Sequence, residues 1–474
     1  MRRPIAPSAL CIALTIAVSC SEPVQAPQQK QIDPPETALR NFTNTRIDPD
    51  PLSGGATTVF DVTAEAFGHA APNLDAEGAE RHEEGDEAFG LVFVGDKGLP
   101  NSGLGPLFNN NACEACHVGD GRGRPPRQGE EFETMLFRAS IPGQDPNGGP
   151  LGAGKFGGQL QLKAIAGFTP EASARVFYTD SGGRFDDGGF YSLRVPHYSF
   201  RGLIGQLPFN LLTSPRVAPV NFGLGLLEAI PEATIRANAD PNDSDRDGIS
   251  GRVNIVFDVP QQKYLVGRFG WKANVGSLVH QTAGAYNGDM GVTTQFFPNE
   301  NCEGEFFGCR DHAPEVDTET VGNVAFYTQT LGVPARRGVN DPANQRGEFL
   351  FRAIGCADCH TPSMTTGVLP GVPEVSNQRI HAYTDLLLHD MGDALADDRP
   401  DFRANGNEFR TPPLWGIGLV SVVNGHTNFL HDGRARNLLE AVLWHGGEGR
   451  NARERFKSLN SNDRKALIAF LNSL

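Results

Sequence analysis

The chain has 474 residues, with 56 Gly, 34 Pro, a formal net charge of −15 and a pI near 5.3. That length allows two or three domains, each burying its own core, and so much Gly and Pro predicts ordered loops between short elements. The charge argues against nucleic acid, whose phosphates would repel this surface. It fits a soluble protein or one that docks a basic partner.

The N-terminus reads as an export signal over residues 1–20: Arg2 and Arg3 precede a short apolar run at 9–18. That run is too short to stay in a bilayer as a spanning helix. Ala17-Val18-Ser19-Cys20 is similar to a bacterial lipoprotein cleavage site, so a periplasmic protein with a lipid anchor at Cys20 is expected. Ordinary cleavage nearby is the alternative. Residues 21–55, rich in Pro, Gln, Asp and Thr, read as a flexible tether.

Two five-residue motifs follow, Cys113-Glu114-Ala115-Cys116-His117 and Cys356-Ala357-Asp358-Cys359-His360. Random placement of the chain's Cys and His would give about 0.003 such motifs, so two are not chance. Cys-x-x-Cys-His attaches haem c because two thiols at that spacing reach the two vinyl groups of one porphyrin. The following His then ligates the iron. Two covalent haems are therefore expected, on Cys113/Cys116 with His117 and on Cys356/Cys359 with His360. A zinc or dithiol site is the weaker alternative.

The stretch between the motifs is too long for a simple tandem of small domains, and 130–340 reads as an elaboration of the first domain with short strands, loops and helices. Within it Glu228 is a lone carboxylate in an apolar run, where burial would raise its pKa. It is the candidate acid/base, with pairing to an Arg such as Arg216 as the alternative. Asp243, Asp245 and Asp247, followed by Gly248, repeat the oxygen spacing of a calcium loop, although Asn254 stands where Glu is usual at the twelfth position. A solvated acidic turn is the other reading. Cys302 and Cys309 would pair in an oxidising compartment. The apolar spacing of 344–354 predicts a helix before the second motif, and that of 462–474 a closing helix.

The last 130 or so residues resemble the C-terminal domain of bacterial di-haem cytochrome c peroxidases and MauG-like enzymes. The matching segments are the haem motif, Leu388-His389-Asp390-Met391-Gly392, Arg410-Thr411-Pro412-Pro413-Leu414-Trp415 and Phe429-Leu430-His431-Asp432-Gly433-Arg434. Gly225-Leu226-Leu227-Glu228-Ala229-Ile230-Pro231, Arg268-Phe269-Gly270-Trp271-Lys272-Ala273 and Trp444-His445-Gly446-Gly447-Glu448 extend the likeness to the di-haem oxidoreductase family over most of 60–474.

The resemblance implies a mainly α, loop-rich fold of two cytochrome c-like domains, 56–340 and 341–474, the first enlarged. It implies His445 as sixth ligand of the second haem, where the peroxidases carry Met, with Met391 the rival. A calcium between the domains and Trp271 between the haems are further implications. His389, His426 and His431 read as hydrogen-bonding groups, and His197, His280, Met135 and Met290 remain open as sixth ligands of the first haem. The implied function is reduction of peroxide at the first haem, with electrons relayed through the second from a small periplasmic cytochrome or copper protein. A MauG-like peroxide-driven oxidase and a non-catalytic electron carrier are the alternatives.

Overall fold

The computed structural model describes residues 48–301, apart from 97 and 100, and residues 313–474. The signal, Cys20, Cys302 and Cys309 lie outside the described residues.

The expected mainly α fold is not what forms. About 29% of the described residues are helical and 19% are in strands or bridges, with the rest of them in turns and loops. The longest strands come from 130–270, where alternating apolar residues and Gly-rich turns favour antiparallel pairs over helices. Strand β1 (Met135–Ser140) pairs with β4 (Leu212–Val217), Met135 opposite Val217. Between them, β2 (Ala172–Arg184) and β3 (Phe190–Gly202) make a long hairpin, Arg184 opposite Phe190, turning through Asp186-Asp187-Gly188-Gly189. Strands β5 (Ile255–Asp258) and β6 (Lys263–Val266) form a third pair, and β7 (Leu388–Asp390) and β8 (Glu408–Arg410) a fourth.

The helices repeat one arrangement. Helix α1 (Ala76–Gly90) precedes the first Cys-x-x-Cys-His motif and packs on α3 (Thr318–Thr330). Helix α4 (Pro342–Ala353) precedes the second motif and packs on the closing helix α7 (Ser461–Ser473). Both crossings are close because a glycine lies at each. A Cβ on Gly85 would meet the Asn323 carbonyl oxygen at 2.3 Å, and one on Gly347 the Ala466 carbonyl oxygen at 2.1 Å. Asp75, Asp317, Asp341 and Asn460 cap the four helices, each accepting a first-turn N–H. Helix α2 (Leu278–Met290), capped by Ser277, lies beside α3, while α5 (Leu438–Trp444) and α6 (Arg450–Ser458) lead into α7. No helix among the described residues is long and apolar enough to cross a membrane.

The β2–β3 hairpin straps the C-terminal helices. At its tip Asp187 pairs with Arg464 of α7 at 2.7 Å, and Asp186 N–H donates to the Lys457 carbonyl of α6. Along its length Arg194 donates to the Gly433 and Arg434 carbonyls, and Arg436 donates to the Ser192 carbonyl.

A chain of buried charges ties β4 to two distant loops. The Lys272 ammonium, wholly buried, meets Asp397 at 2.7 Å; the Ser214 hydroxyl donates to Asp397 and accepts from Arg216 Nε, and Arg216 and Arg399 both meet Asp401. Removing one member of such a pair strands the other in a low-dielectric interior. Asp397→Ala should therefore lower the free energy of unfolding by about 3–5 kcal/mol. The double variant Lys272→Met/Asp397→Leu should recover most of it, both read from denaturant unfolding.

Candidate functional site

Both Cys-x-x-Cys-His motifs open onto one continuous cavity. Each folds as a single turn: the Cys113 carbonyl accepts from Cys116 and His117 N–H, and the Cys356 carbonyl from His360 N–H. A turn of that size puts both thiols and the imidazole on the cavity side. The four cysteines are unpaired. Burial pushes the Cys113, Cys116 and Cys356 thiols up to about 12 and raises Cys359, so they are neutral thiols and not nucleophilic thiolates.

Three histidines share one orientation device. His117 Nδ1 lies 2.7 Å from the Pro219 carbonyl oxygen, His360 Nδ1 2.9 Å from that of Tyr383, and His445 Nδ1 2.8 Å from that of Ala441. A carbonyl can only accept, so each Nδ1 carries the proton and each Nε2 keeps a lone pair. Burial lowers the proton affinity of all three, His360 to about 4, and leaves them neutral. This is the state a metal-ligating imidazole needs.

His360 and His445 face each other, ring centres 6.5 Å apart. Two imidazoles bound at about 2 Å on opposite sides of one metal have ring centres about 6 Å apart, so this pair has the span of a bis-histidine site. His445 follows the last residue of α5, and its Nδ1–H bond to Ala441 closes that helix, so helix capping and presentation of Nε2 coincide in one residue. Met391 lines the same cavity.

His117 has the Phe89 ring at 6.3 Å, and no imidazole is stacked across from it among the described residues. Of its four candidate partners, Met135 and Met290 line the cavity. His197 bonds Thr179 and stacks on Phe177 in the hairpin, and His280 stacks on Phe297 with Nδ1 3.7 Å from Asp258; neither lines the cavity. His426 accepts from Asn428 N–H and donates to the Arg122 carbonyl. Burial opposes protonation of His389, but bonds to Asp385, Cys359 and Glu448 outweigh it and push its pKa up to about 12.

Glu228 is half-buried, and desolvation raises its pKa. Both its oxygens are engaged, one by Leu278 N–H at 2.9 Å and one by Gln329 Nε2 at 2.6 Å, and it does not line the cavity. Arg216 pairs with Asp401, not with Glu228. Trp271 lines the cavity, its Nε1 donating to the Val217 carbonyl and its ring lying 5.0 Å from the Arg122 guanidinium. The Asp243, Asp245 and Asp247 carboxylates converge within 4.8 Å. Asn254 is engaged elsewhere, donating to the Lys272 and Asp401 carbonyls and accepting from Arg403 N–H.

Sequence reasoning passed over Arg138, which reads as a solvent-facing position of an alternating strand but lines the cavity. It also passed over Asp120, three residues beyond the first motif. Asp120 holds a left-handed φ of 56° and accepts from the Tyr327 hydroxyl at 2.9 Å; burial pushes its pKa up to about 7.

A cavity joining two Cys-x-x-Cys-His turns, one opposed by a third histidine, is the site of a protein that carries two haems. The chain belongs to the di-haem oxidoreductase family: the family described as "Di-haem oxidoreductase, putative peroxidase" matches residues 50–140 and 210–474. Haem is thus the cofactor and oxidoreduction of the peroxidase type the class of chemistry. The unmatched residues 141–209 contain the β2–β3 hairpin. No curated protein matches. Among solved structures the chain is similar to "Crystal structure of a MauG-like protein associated with microbial copper homeostasis", at 17% identity, over 44% of this chain and 69% of that one. The TM-score is 0.27, too low to bear on fold or function.

The raised pKa of Asp120 has a direct consequence for stability. Between its unfolded value near 3.8 and its folded value near 7, the folded state holds the extra proton. Stability from this group is therefore present at low pH and lost as pH rises through that window, by up to about 1.4 kcal/mol per pH unit. Asp120→Asn, which cannot ionise, should flatten that part of a plot of unfolding free energy against pH.

Proposed function

We propose that the protein is a periplasmic oxidoreductase carrying two haems c that reduces a peroxide at the N-terminal site. Residues 56–340 and 341–474 each hold one haem, through thioethers at Cys113/Cys116 and Cys356/Cys359 and through His117 and His360. His445 completes the C-terminal site. The observation that carries the reading is the asymmetry of the two sites: His445 faces His360, whereas His117 has no opposing imidazole among the described residues. A closed site suits electron relay, and a site that can open suits a small oxidant.

When bound, the haems supply one-electron redox chemistry and a site for peroxide, whose reduction to two waters takes two electrons and two protons. The chain's residues orient and insulate. The carbonyls of Pro219, Tyr383 and Ala441 fix the three imidazoles. Trp271, held by its Val217 bond, stands in the wall of the shared cavity as an electron path. Glu228 receives the first N–H of α2, whose Gln281 and Thr282 line the cavity, and acts by positioning that helix.

Reducing electrons come from a small periplasmic cytochrome or copper protein, for which the net charge of −15 supports a basic docking face. The N-terminal sequence supports export and lipid anchoring at Cys20. Imidazole in place of thioether lowers the potential of the C-terminal haem, which favours a second reading, a MauG-like oxidase of a protein or organic substrate.

Low-temperature electron paramagnetic resonance of the ferric protein tests the reading. One low-spin signal should be indifferent to cyanide, and a second iron should become cyanide-reactive, at the latest after one-electron reduction. His445→Ala should make the C-terminal iron reactive too, and His445→Met should raise its potential. Two signals unchanged throughout would make the protein an electron carrier.

The aspartate loop carries the calcium part of the reading, with water completing the ligands that Asn254 does not supply. Calorimetric titration should find one calcium site, lost in Asp245→Asn; no binding heat would remove calcium.

A further inference from the structure

The cavity wall holds more positive charge than the protein balances. Arg122, Arg138 and Arg410 all line it, and none has a carboxylate in ion-pair range among the described residues. Arg122 donates only to the Asn428 and Leu430 carbonyls, and Arg410 only to those of Gly270 and Thr411. The Arg138 guanidinium makes no hydrogen bond among the described residues, and Asp289 is the acid whose charge it feels most. By contrast Arg216, Arg399, Arg434 and Lys272, in the same region, each have an aspartate at 3.1 Å or less.

Two further unpartnered nitrogens lie in the same wall. His431 is 4% exposed and stacked on Phe409, its Nε2 buried without a partner; Trp415 is 2% exposed, its Nε1 likewise unpartnered. Both line the cavity. Buried cations and orphaned polar groups are costly unless a partner arrives; the three arginines and the Trp415 N–H can only donate, and His431 Nε2 donates in one of its two neutral tautomers.

We propose that Arg122, Arg138 and Arg410, with His431 and Trp415, form the receiving site for the carboxylates of the two haems. The inference rests on the reading that this cavity holds both. Porphyrin propionates are the carboxylates that two such groups bring, and a guanidinium fork matches a carboxylate in two-point geometry. Arg122 and Arg410 lie on either side of the Trp271 segment, Arg122 over its ring and Arg410 bonded through its backbone N–H to the Trp271 carbonyl. The carboxylates are thereby gathered beside Trp271 in the wall of the shared cavity. Cations at that point stabilise the reduced irons, raise both potentials and keep the carboxylates ionised.

The test is spectroelectrochemical titration of the haem-loaded full-length protein, wild type against Arg122→Gln, Arg138→Gln and Arg410→Gln, at several pH values. Each variant should shift one haem's reduction equilibrium at least tenfold toward the oxidised form, about 59 mV for one electron. Each should also gain a pH dependence near neutrality that the wild type lacks, because an unpaired buried carboxylate takes up a proton. Where a Gln variant does not load both haems, the Lys variant carries the test and should shift the same potential by less. Potentials within twofold of wild type in haem-loaded variants would overturn the inference and leave the haem reading intact. A protein with no haem at all would overturn both. Acetate in excess supplies the other arm: a spectral change in wild type that vanishes in Arg138→Gln would mean a solution anion is the occupant, and would overturn the assignment to haem carboxylates.

Discussion

Burial of neutral imidazoles is the constraint on which the rest of this structure depends. His117, His360 and His445 line an apolar cavity, where a charged ring would be expelled or would need a counter-ion, and each is kept neutral with its Nδ1 proton on a backbone carbonyl. The carbonyls must therefore be in fixed places. Pro219 follows directly from β4, Tyr383 sits in the buried core with a left-handed φ of 53°, and Ala441 lies one turn back in α5. Ordering the ligands and ordering the surrounding fold are one problem.

The buried ionic chain serves that order. Lys272, Asp397, Ser214, Arg216, Asp401 and Arg399 join β4 to loops far away in sequence. Lys272 is the neighbour of Trp271, so the same contacts that bury the ammonium fix where the indole stands. Such a network adds little net stability compared with apolar packing, but it penalises any arrangement that separates its members. The β2–β3 hairpin acts at the opposite face, tying β-structure from the middle of the chain to α6 and α7. It lies in residues that the family pattern does not match.

The local elements were largely legible. Cys-x-x-Cys-His needs only one turn to do its work, so its chemistry survives any surrounding fold, and the helices at 342–353 and 461–473 fell close to where the apolar spacing put them. His445 was singled out through resemblance, since nothing in its local sequence separates a ligand from a helix cap; the fold sets it opposite His360. Short strands were expected within 130–340, but the mainly α class failed because two of those strands run to 13 residues each. There the strands alternate, yet half-buried hairpin positions such as Tyr191, Leu193 and Val195 owe their burial to packing on the C-terminal core, which is distant in sequence.

The sequence by itself determined the two Cys-x-x-Cys-His turns, the helix preceding the second, the closing helix and the identity of the redox family, because these depend on residue type and short spacing. Only the tertiary structure decided which side chains surround them. Glu228 turned from a candidate in an apolar run into the carboxylate that receives the first N–H of α2, and Arg216 found Asp401 across 185 residues. Arg138, on an ordinary strand, came to line the cavity. Long-range partners are set by how the loops close over one another, and a charge's role depends on whether its counter-charge lies within a few ångströms, a distance that no local pattern encodes.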